Sequence, residues 1–490
     1  MVSLSFGCAD AISIAPISVS DNNGHVSVSW HKVKKATKYQ VVINGKTVAR
    51  TKKRSYTATL APGTYEIKVR GYHLKKQKRY YNRRTKKWQK KRPKGRVKVR
   101  RVKVPKYSKY IRQTITVKAP GKAPVNIREA FMRQLVEENR LPEYSKASFT
   151  WDTEGHGNSW AYFNGLMFDG LYQNGHAELI ESFYSDNILS DGTVKRYRCG
   201  ELDSVACAKP IFYILDKSDK YPKAIQYVYS DLEKQLPIEG CGGNVYHKQN
   251  PDGTPKGQWA KYPLALDGLY MSLPFMAECA NAIDDGRLTL YHADGSEVTS
   301  KELYETIHQR IMYVSENMYR VNGLYSHGRN AEYSNEHSWS RAEGWYCMCL
   351  VDVYEKFPPG SMKNDLKGCI EKALNGLIRY QDRSGLWYNV LDRDASLKNN
   401  RLEISGTAMF GYSYLKAAKM GINPSLYTSV GRKAATGIEQ RIYTVNGKYR
   451  LDDIYKVSGV YDSDEEYCRG QYSVNEAKGL GAVLLMWAMD

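Results

Sequence analysis

The chain has 490 residues, a formal net charge of +22, and a composition that is 42% hydrophobic and 12% aromatic, with 39 Tyr against 10 Phe. That length exceeds one small core and points to two or three domains. No apolar run approaches the roughly 20 residues that cross a bilayer, so no transmembrane helix is expected. Nine cysteines, odd in number and scattered, give neither a disulfide framework nor a paired metal pattern. Cys347 and Cys349 share an apolar helical stretch and read as core.

Charge is the most uneven property. Residues 32–118 hold 32 Lys/Arg and one acid, Glu66, a net +31 that leaves the rest of the chain at −9. Residues 1–13 form an N-terminal tail in which Ala9-Asp-Ala11 resembles the end of an export signal. The expected location is therefore extracellular or cell-surface, with cytoplasmic as the alternative. From residue 14, short alternating stretches predict strands. They are Val26–Trp30, Tyr39–Ile43, a turn at Asn44-Gly45, Lys46–Val48, Ser55–Leu60, a turn at Pro62-Gly63, and Thr64–Arg70. Gln113–Val117 supplies a last strand. This order, with Trp30 in the second strand and Leu60-Ala-Pro-Gly-Thr-Tyr65 before the sixth, resembles a fibronectin type III domain over residues 14–120. Residues 75–109, packed with Lys, Arg and Tyr, are an insertion that the family lacks.

Residues 121–125, overlapping the Pro/Gly-rich stretch 119–124, read as a linker. From 126 to 490 the period changes to that of helices. Six candidates carry one apolar stripe: 126–140, 177–189, 220–236, 301–318, 362–380 and 424–441. Alternating with them are six that are rich in Gly, aromatic and apolar residues: 160–172, 203–215, 266–282, 339–355, 405–418 and 475–489. A helix that is apolar nearly all round is buried, and one with a single apolar stripe lies outside. Strict alternation over six rounds predicts an all-α (α/α)6 barrel preceded by a small all-β sandwich.

If the inner helices run in one direction, their N-termini meet at one end, where free N–H groups suit an anionic ligand. The residues heading them are Trp160, Asp203, Asp267, Trp339 with Arg341, Ser405, and Asn475 with Lys478. Asp267 lies among Tyr270, Met271 and Phe275, surroundings that raise a carboxyl pKa toward the range of a general acid. As isolated residues, Asp267 and Asp203 read equally well as helix caps. Trp339 and Trp345 are candidates for stacking on sugar rings, and Arg341 for a two-bond grip on a carboxylate. A structural pair of Arg341 with Glu343 is the alternative. His327 and His247 lie in the loops ahead of two of these segments.

The set Leu202-Asp-Ser-Val205, Gly242-Gly-Asn-Val-Tyr-His247, Leu266-Asp-Gly-Leu-Tyr-Met271, Gly323-Leu-Tyr-Ser-His327, Trp339-Ser-Arg-Ala-Glu-Gly-Trp345, Gly385-Leu-Trp-Tyr388, Glu403–Phe410 and Lys478-Gly-Leu-Gly-Ala482 is similar in order and spacing to glycoside hydrolase family 105. These are the unsaturated rhamnogalacturonyl hydrolases, close to the family 88 unsaturated glucuronyl hydrolases. The resemblance covers residues 126–490. It implies that Asp267 is the proton donor and that Asp203, His327, Trp339, Arg341 and Trp345 shape the substrate site. Asp203 is the second catalytic candidate, and His247 and Trp160 join the substrate-binding candidates by their place at and before the inner-helix heads. Ser204 and Ala342-Glu343 depart from the family pattern.

The implied substrate is a pectic, rhamnogalacturonan-type oligosaccharide left by a polysaccharide lyase with a 4,5-unsaturated uronic acid at its non-reducing end, and the implied chemistry is hydration of that vinyl ether by one acid/base. No metal or organic cofactor is required. Three alternatives stay open: an unsaturated glucuronyl hydrolase on another polysaccharide, an inverting hydrolase using Asp203 as base and Asp267 as acid, and a non-catalytic wall-binding protein. The basic module suggests an anionic polysaccharide or cell-wall polymer as a further partner, in preference to nucleic acid.

Overall fold

The computed structural model describes residues 18–22, 25–30, 32–60, 63–82, 87–90, 98–117, 126–140, 160–445 and 447–490. The N-terminal tail 1–13, the linker 121–125 and parts of the insertion 75–109 lie outside the described residues. Two compact units emerge, one within residues 1–125 with 443–447, the other within 126–442 and 448–490.

The first unit is built from strands around a shared core; residues 55–59 alternate between core and solvent, whereas residues 39–43 are buried throughout. β1 (Ser18–Asn22), β2 (His25–Ser29) and β5 (Ser55–Thr59) form a three-stranded antiparallel sheet. The second sheet joins β3 (Lys38–Ile43), β4 (Lys46–Thr51), β6 (Gly63–Asn82), β7 (Lys87–Gln89), β8 (Val99–Tyr107) and β9 (Ile111–Val117). Val26, Val28 and Trp30 meet Val41, Ile43, Ile67 and Val69 in one core. β6 is 20 residues long. Its first part pairs with β9, and its second runs on into the insertion and pairs with β8 from Tyr72↔Tyr107 to Tyr80↔Val99.

The second unit follows the predicted alternation. The outer helices are α1 (Ile127–Arg140), α3 (Ala177–Asn187), α5 (Lys220–Glu233), α7 (Ser300–Asn317), α9 (Ser361–Leu377) and α11 (Pro424–Glu439). The inner ones are α2 (Tyr162–Gln173), α4 (Leu202–Ala206) with a 3-10 helix over Lys209–Lys217, α6 (Leu266–Asp284), α8 (Ser340–Lys356), α10 (Ile404–Lys419) and α13 (Ala477–Met489), with a short α12 (Asp464–Tyr467) before the last. Each inner helix packs on the next, and α13 returns to α2, so the ring closes as an (α/α)6 barrel.

Glycines on the inner helices let the backbones approach. A Cβ on Gly165, Gly170 or Gly344 would come within 3 Å of Cys207, Leu484 or Met409 on the neighbouring inner segment. That contact pattern is why these helices are Gly-rich. The second inner helix departs from the uniform helix expected over 203–215. Pro210 has no N–H to donate and disfavours the helical state at Lys209. The α-helix accordingly stops at Ala206 and resumes in 3-10 form, with Ile214 at non-helical φ/ψ.

The two ends of the ring differ. At the C-terminal end, Lys209 bonds Asp169 (2.9 Å) and Asp352 (2.6 Å), while Lys416 bonds Asp352 (2.8 Å) and Glu355 (2.9 Å). This buried network ties four inner segments together. At the N-terminal end, the first N–H groups meet loop carbonyls in a repeating way. Leu202 N–H donates to His247, Leu266 to His327, Ser340 to Asn389 and Ile404 to Asp453. Each loop is thereby fixed across the head of an inner helix, and two of them carry the site histidines.

Candidate active site

Asp267 stands on the first turn of α6 and receives a hydrogen bond across 2.9 Å from, or shares one with, His327 Nε2. The other ring nitrogen of His327 lies 2.8 Å from the hydroxyl of Tyr467, which also accepts from Asn335 Nδ2 at 2.9 Å. His327 is fully buried, whereas the Asp267 carboxylate keeps 15% of its surface and can meet a ligand. Burial pushes the Asp267 carboxyl up, but the His327 imidazole against it, and then His247, pull it below its ordinary value. The expected raised pKa is therefore corrected. Asp267 is a carboxylate in the unliganded site, because two imidazoles outweigh its apolar neighbours.

Asp203, on α4, lies 3.2 Å from His247 Nε2 and 2.5 Å from Lys248 Nζ. Burial raises its carboxyl, yet His247 and then Lys248 hold it far below the usual carboxylate range. The His247 ring packs 4.1 Å from Trp259 and against Gly268, where a Cβ would lie 3.2 Å from Nδ1. Glycine after Asp267 is thus the residue that admits the imidazole beside both acids. One histidine serves the two carboxylates, bonded to Asp203 and acting on Asp267 from farther away.

Arg341 is not paired with Glu343. Its guanidinium donates from Nη1 to Ser405 Oγ (3.2 Å) and to the Tyr455 carbonyl, and from Nη2 to the Lys456 carbonyl at 2.9 Å. The plane rests 4.8 Å over Trp339. These bonds fix residues 455–456 over the head of α10. Glu343 is buried, accepts from the Tyr325 N–H at 3.2 Å, and burial pushes its carboxyl well above the ordinary value.

The tryptophans are walls. Trp339 donates to Asn389 Oδ1 at 2.9 Å and lies 5.2 Å from His327; Trp345 packs 4.7 Å from Tyr270 and 5.9 Å from Tyr162. Both are at most 3% exposed, so neither lies open as a stacking platform. Trp160 donates to the Ser204 carbonyl at 2.8 Å and packs on Phe183 and Tyr184.

Helix heads do not all offer free N–H groups, as sequence reasoning expected. Glu403 accepts from the N–H groups of Ser405 and Gly406, and Glu476 from that of Lys478. The chain's own carboxylates fill two of the six heads. Asn475 turns away to the Leu451 and Tyr449 backbone. Sequence reasoning also missed Lys248 and Tyr467, the latter 140 residues from His327. It missed Tyr162, on which the charges of Asp203, Arg341 and Asp267 all act. Only Lys248 carried a signal, its place next to His247.

A pocket of about 440 Å³ adjoins Asp203, lined by Trp160, Tyr162, Phe163, Arg196 and Arg198 among others. Among the described residues no three His, Cys, Asp or Glu side chains converge as a metal-ligand set. No described helix is long and apolar enough to cross a membrane. The arrangement can move one proton at Asp267 while holding a fixed negative charge at Asp203.

Residues 137–489 match the sequence profile of Glycosyl Hydrolase Family 88. Protein Atu3128 of Agrobacterium fabrum is 35% identical over 190 residues, which are 34% of this chain and 81% of that one. Unsaturated rhamnogalacturonyl hydrolase YesR of Bacillus subtilis is 28% identical over 174 residues, 34% of this chain and 46% of YesR. Among solved structures, a family 105 glycoside hydrolase of C. acetobutylicum aligns over 73% of this chain and 98% of its own at 23% identity, with a TM-score of 0.61.

Proposed function

The chain belongs to glycosyl hydrolase family 88 and is a glycoside hydrolase; from that premise we propose that it removes a 4,5-unsaturated uronic acid from the non-reducing end of lyase-generated, rhamnogalacturonan-type oligosaccharides. The likeness to YesR supports the pectic substrate. In this reading Asp267 delivers a proton to C4 of the vinyl ether, and positive charge develops at C5 and the ring oxygen. Asp203 faces that charge. Water adds to C5 with Asp267 now acting as base. The hemiketal opens to a C5 ketone, and the hemiacetal left at C1 expels the next sugar.

The observation that carries this reading is the unequal state of the two acids. Asp203 is locked by Lys248 and His247 and held far below the ordinary range, which makes it a feeble base. An inverting hydrolase needs a competent base at that position, so a single acid/base is the better account. Asp267 must gain a proton to begin. An entering uronate brings a second negative charge and displaces water, and both effects raise a neighbouring carboxyl pKa. Binding and proton uptake are then coupled.

The test is to mix the protein with lyase-treated rhamnogalacturonan, with an unsaturated glucuronyl disaccharide and with the saturated counterpart, following loss of ultraviolet absorbance and release of sugar. Turnover confined to the unsaturated pectic product supports the reading. Cleavage of the saturated chain would establish the inverting alternative. We further read residues 14–120 as a fibronectin type III-like arm for anionic wall polysaccharide, supported by its strand order and charge. We place the enzyme outside the cell or on its surface, which fractionation of the producing cells tests.

A further inference from the structure

The loop that carries His247 is tied to an outer helix. Asn244 Nδ2 donates to the Cys241 carbonyl at 2.9 Å and to the Arg310 carbonyl of α7 at 3.3 Å. Gly242, at φ +59°, sits where a Cβ would fall 2.5 Å from Tyr313 on the same helix. The His247 backbone is held on both sides, its N–H donating to the Pro263 carbonyl and its carbonyl accepting from Leu202. Asp203 is an ionised acceptor, so the His247 nitrogen beside it, Nε2, carries the proton. That leaves Nδ1, which is buried and has no hydrogen-bond partner.

Arg310 reaches the same place from α7. Its Nε is buried and likewise unpartnered, while Nη1 lies against the Met276 sulfur at 3.9 Å. Burial lowers the guanidinium to about 10, and among the described residues no carboxylate offsets that effect. A buried cation without a counter-charge costs stability, so stability does not account for Arg310. A cavity of about 10 Å³, room for one water, is lined by His247, Arg310 and Ser272 among apolar neighbours. The Ser272 hydroxyl already donates to the Gly268 carbonyl at 2.8 Å, which leaves its lone pairs to accept. The lining thus offers one donor and two acceptors, the three partners that a buried water commonly has.

We propose that Arg310 is a positioning residue that holds His247 through one buried water, which accepts from Arg310 and donates to His247 Nδ1 and Ser272 Oγ. The ring is thereby locked with its Nε2–H on Asp203 and its edge beside Asp267. The consequence for turnover rests on the unsaturated-uronyl reading of the site; the hydrogen bond at Nδ1 does not.

The experiment combines nitrogen NMR of the histidine-labelled full chain, with His247→Gln identifying the signal, and turnover of the unsaturated substrate. In the parent, His247 should show a protonated Nε2 and an unprotonated, hydrogen-bonded Nδ1. Arg310→Met removes the charge and keeps an unbranched side chain, so Nδ1 should lose its hydrogen bond and its resonance should move. In that variant kcat should fall about tenfold with KM little changed. Its Tm should hold or rise, because an uncompensated buried charge is gone. Arg310→Lys keeps a cationic donor and should return the Nδ1 signal and most of kcat. A merely structural Arg310 would lower Tm and kcat together and leave Nδ1 in place, and that result would overturn the proposal. A proton on Nδ1 in the parent would overturn it too, and that measurement needs no variant to fold. If the parent turns over no unsaturated substrate, the proposed function fails, while the Nδ1 signal still decides the role of Arg310.

Discussion

At the scale of single residues, the proposed chemistry rests on how two imidazoles are shared between two carboxylates. Asp267→Asn keeps the shape and removes the transferable proton, so kcat should fall by about 10²–10⁴ with KM little changed. An Asn variant retaining more than a few per cent of parental turnover would remove Asp267 from that role. The pH profile adds a second check. His327 lowers the Asp267 carboxyl, and the proposed reaction needs that carboxyl protonated, so kcat/KM should decline as pH rises past its pKa. Removing the imidazole with His327→Gln raises that pKa, and the declining limb should move to higher pH whatever happens to its height. A limb that stays in place would show that another group controls it. Glu343 gives a prediction of the opposite kind. Its folded pKa is raised by burial, so it is neutral in the fold and ionises only on unfolding. Its contribution to stability therefore shrinks as pH rises above the ordinary carboxyl range. Glu343→Gln should leave thermal stability near pH 5 about unchanged and raise it near pH 8. Equal melting shifts at both values would mean that Glu343 is charged in the fold.

At the scale of elements, the helix alternation was legible because burial on all sides and burial on one side write different patterns, and the six Gly-rich segments are the inner ring. Pro210 interrupts the second of them, a break that the apolar period over 203–215 conceals. The site was half legible. Asp267, Asp203, His247 and His327 sit on or next to inner-helix heads, where spacing along the chain locates them. Tyr467 acts through a pairing that only the closed ring creates, and no local pattern announces a partner 140 residues away; Glu403 and Glu476 cap the heads of the helices that directly follow them, a local position. The bonds of Arg341 to the Tyr455 and Lys456 carbonyls were not legible, because no residue type reveals a backbone acceptor more than a hundred residues away. The opposite end of the ring supports a stability prediction. Asp352 joins Lys209 and Lys416, and although burial alone would raise its carboxyl, the two ammonium groups hold it below its ordinary value. That contribution is present above the unfolded pKa and fades as pH falls through the folded one. Asp352→Asn leaves two buried lysines without their shared counter-charge and should cost on the order of 3–5 kcal/mol at neutral pH. The penalty should narrow in acid. A variant whose denaturant midpoint matches the parent's would show the network to be dispensable.

At the scale of the whole molecule, the uneven charge demands a physical account. The β6–β8 ribbon places Lys76 opposite Lys103 and Lys78 opposite Arg101, and the next pair beyond them is Arg79 with Arg100. Like charges directly across an antiparallel pair are destabilising. Over residues 70–118 the sequence holds no acid to relieve them. Lys76, Lys78, Arg101 and Lys103 share one face of the ribbon, because every second residue of a strand points the same way. A polyanion lying along that face would screen the repulsion. If wall pectin is that polyanion, the full chain should be retained on immobilised polygalacturonate at low salt and released by modest salt, because exposed charges reach only about 8 Å at physiological ionic strength. Replacing the four face residues with Ser should move elution to markedly lower salt. Turnover of a small unsaturated disaccharide, whose proposed site draws its residues from the helical unit, should be unaffected. Duplex DNA tested as a soluble competitor separates charge from chemistry. If it displaces the protein as readily as polygalacturonate does at equal charge, the ribbon reads charge alone and the glycan assignment fails. If the parent flows through the pectin column at low salt, the ribbon has another purpose and the module serves as a spacer.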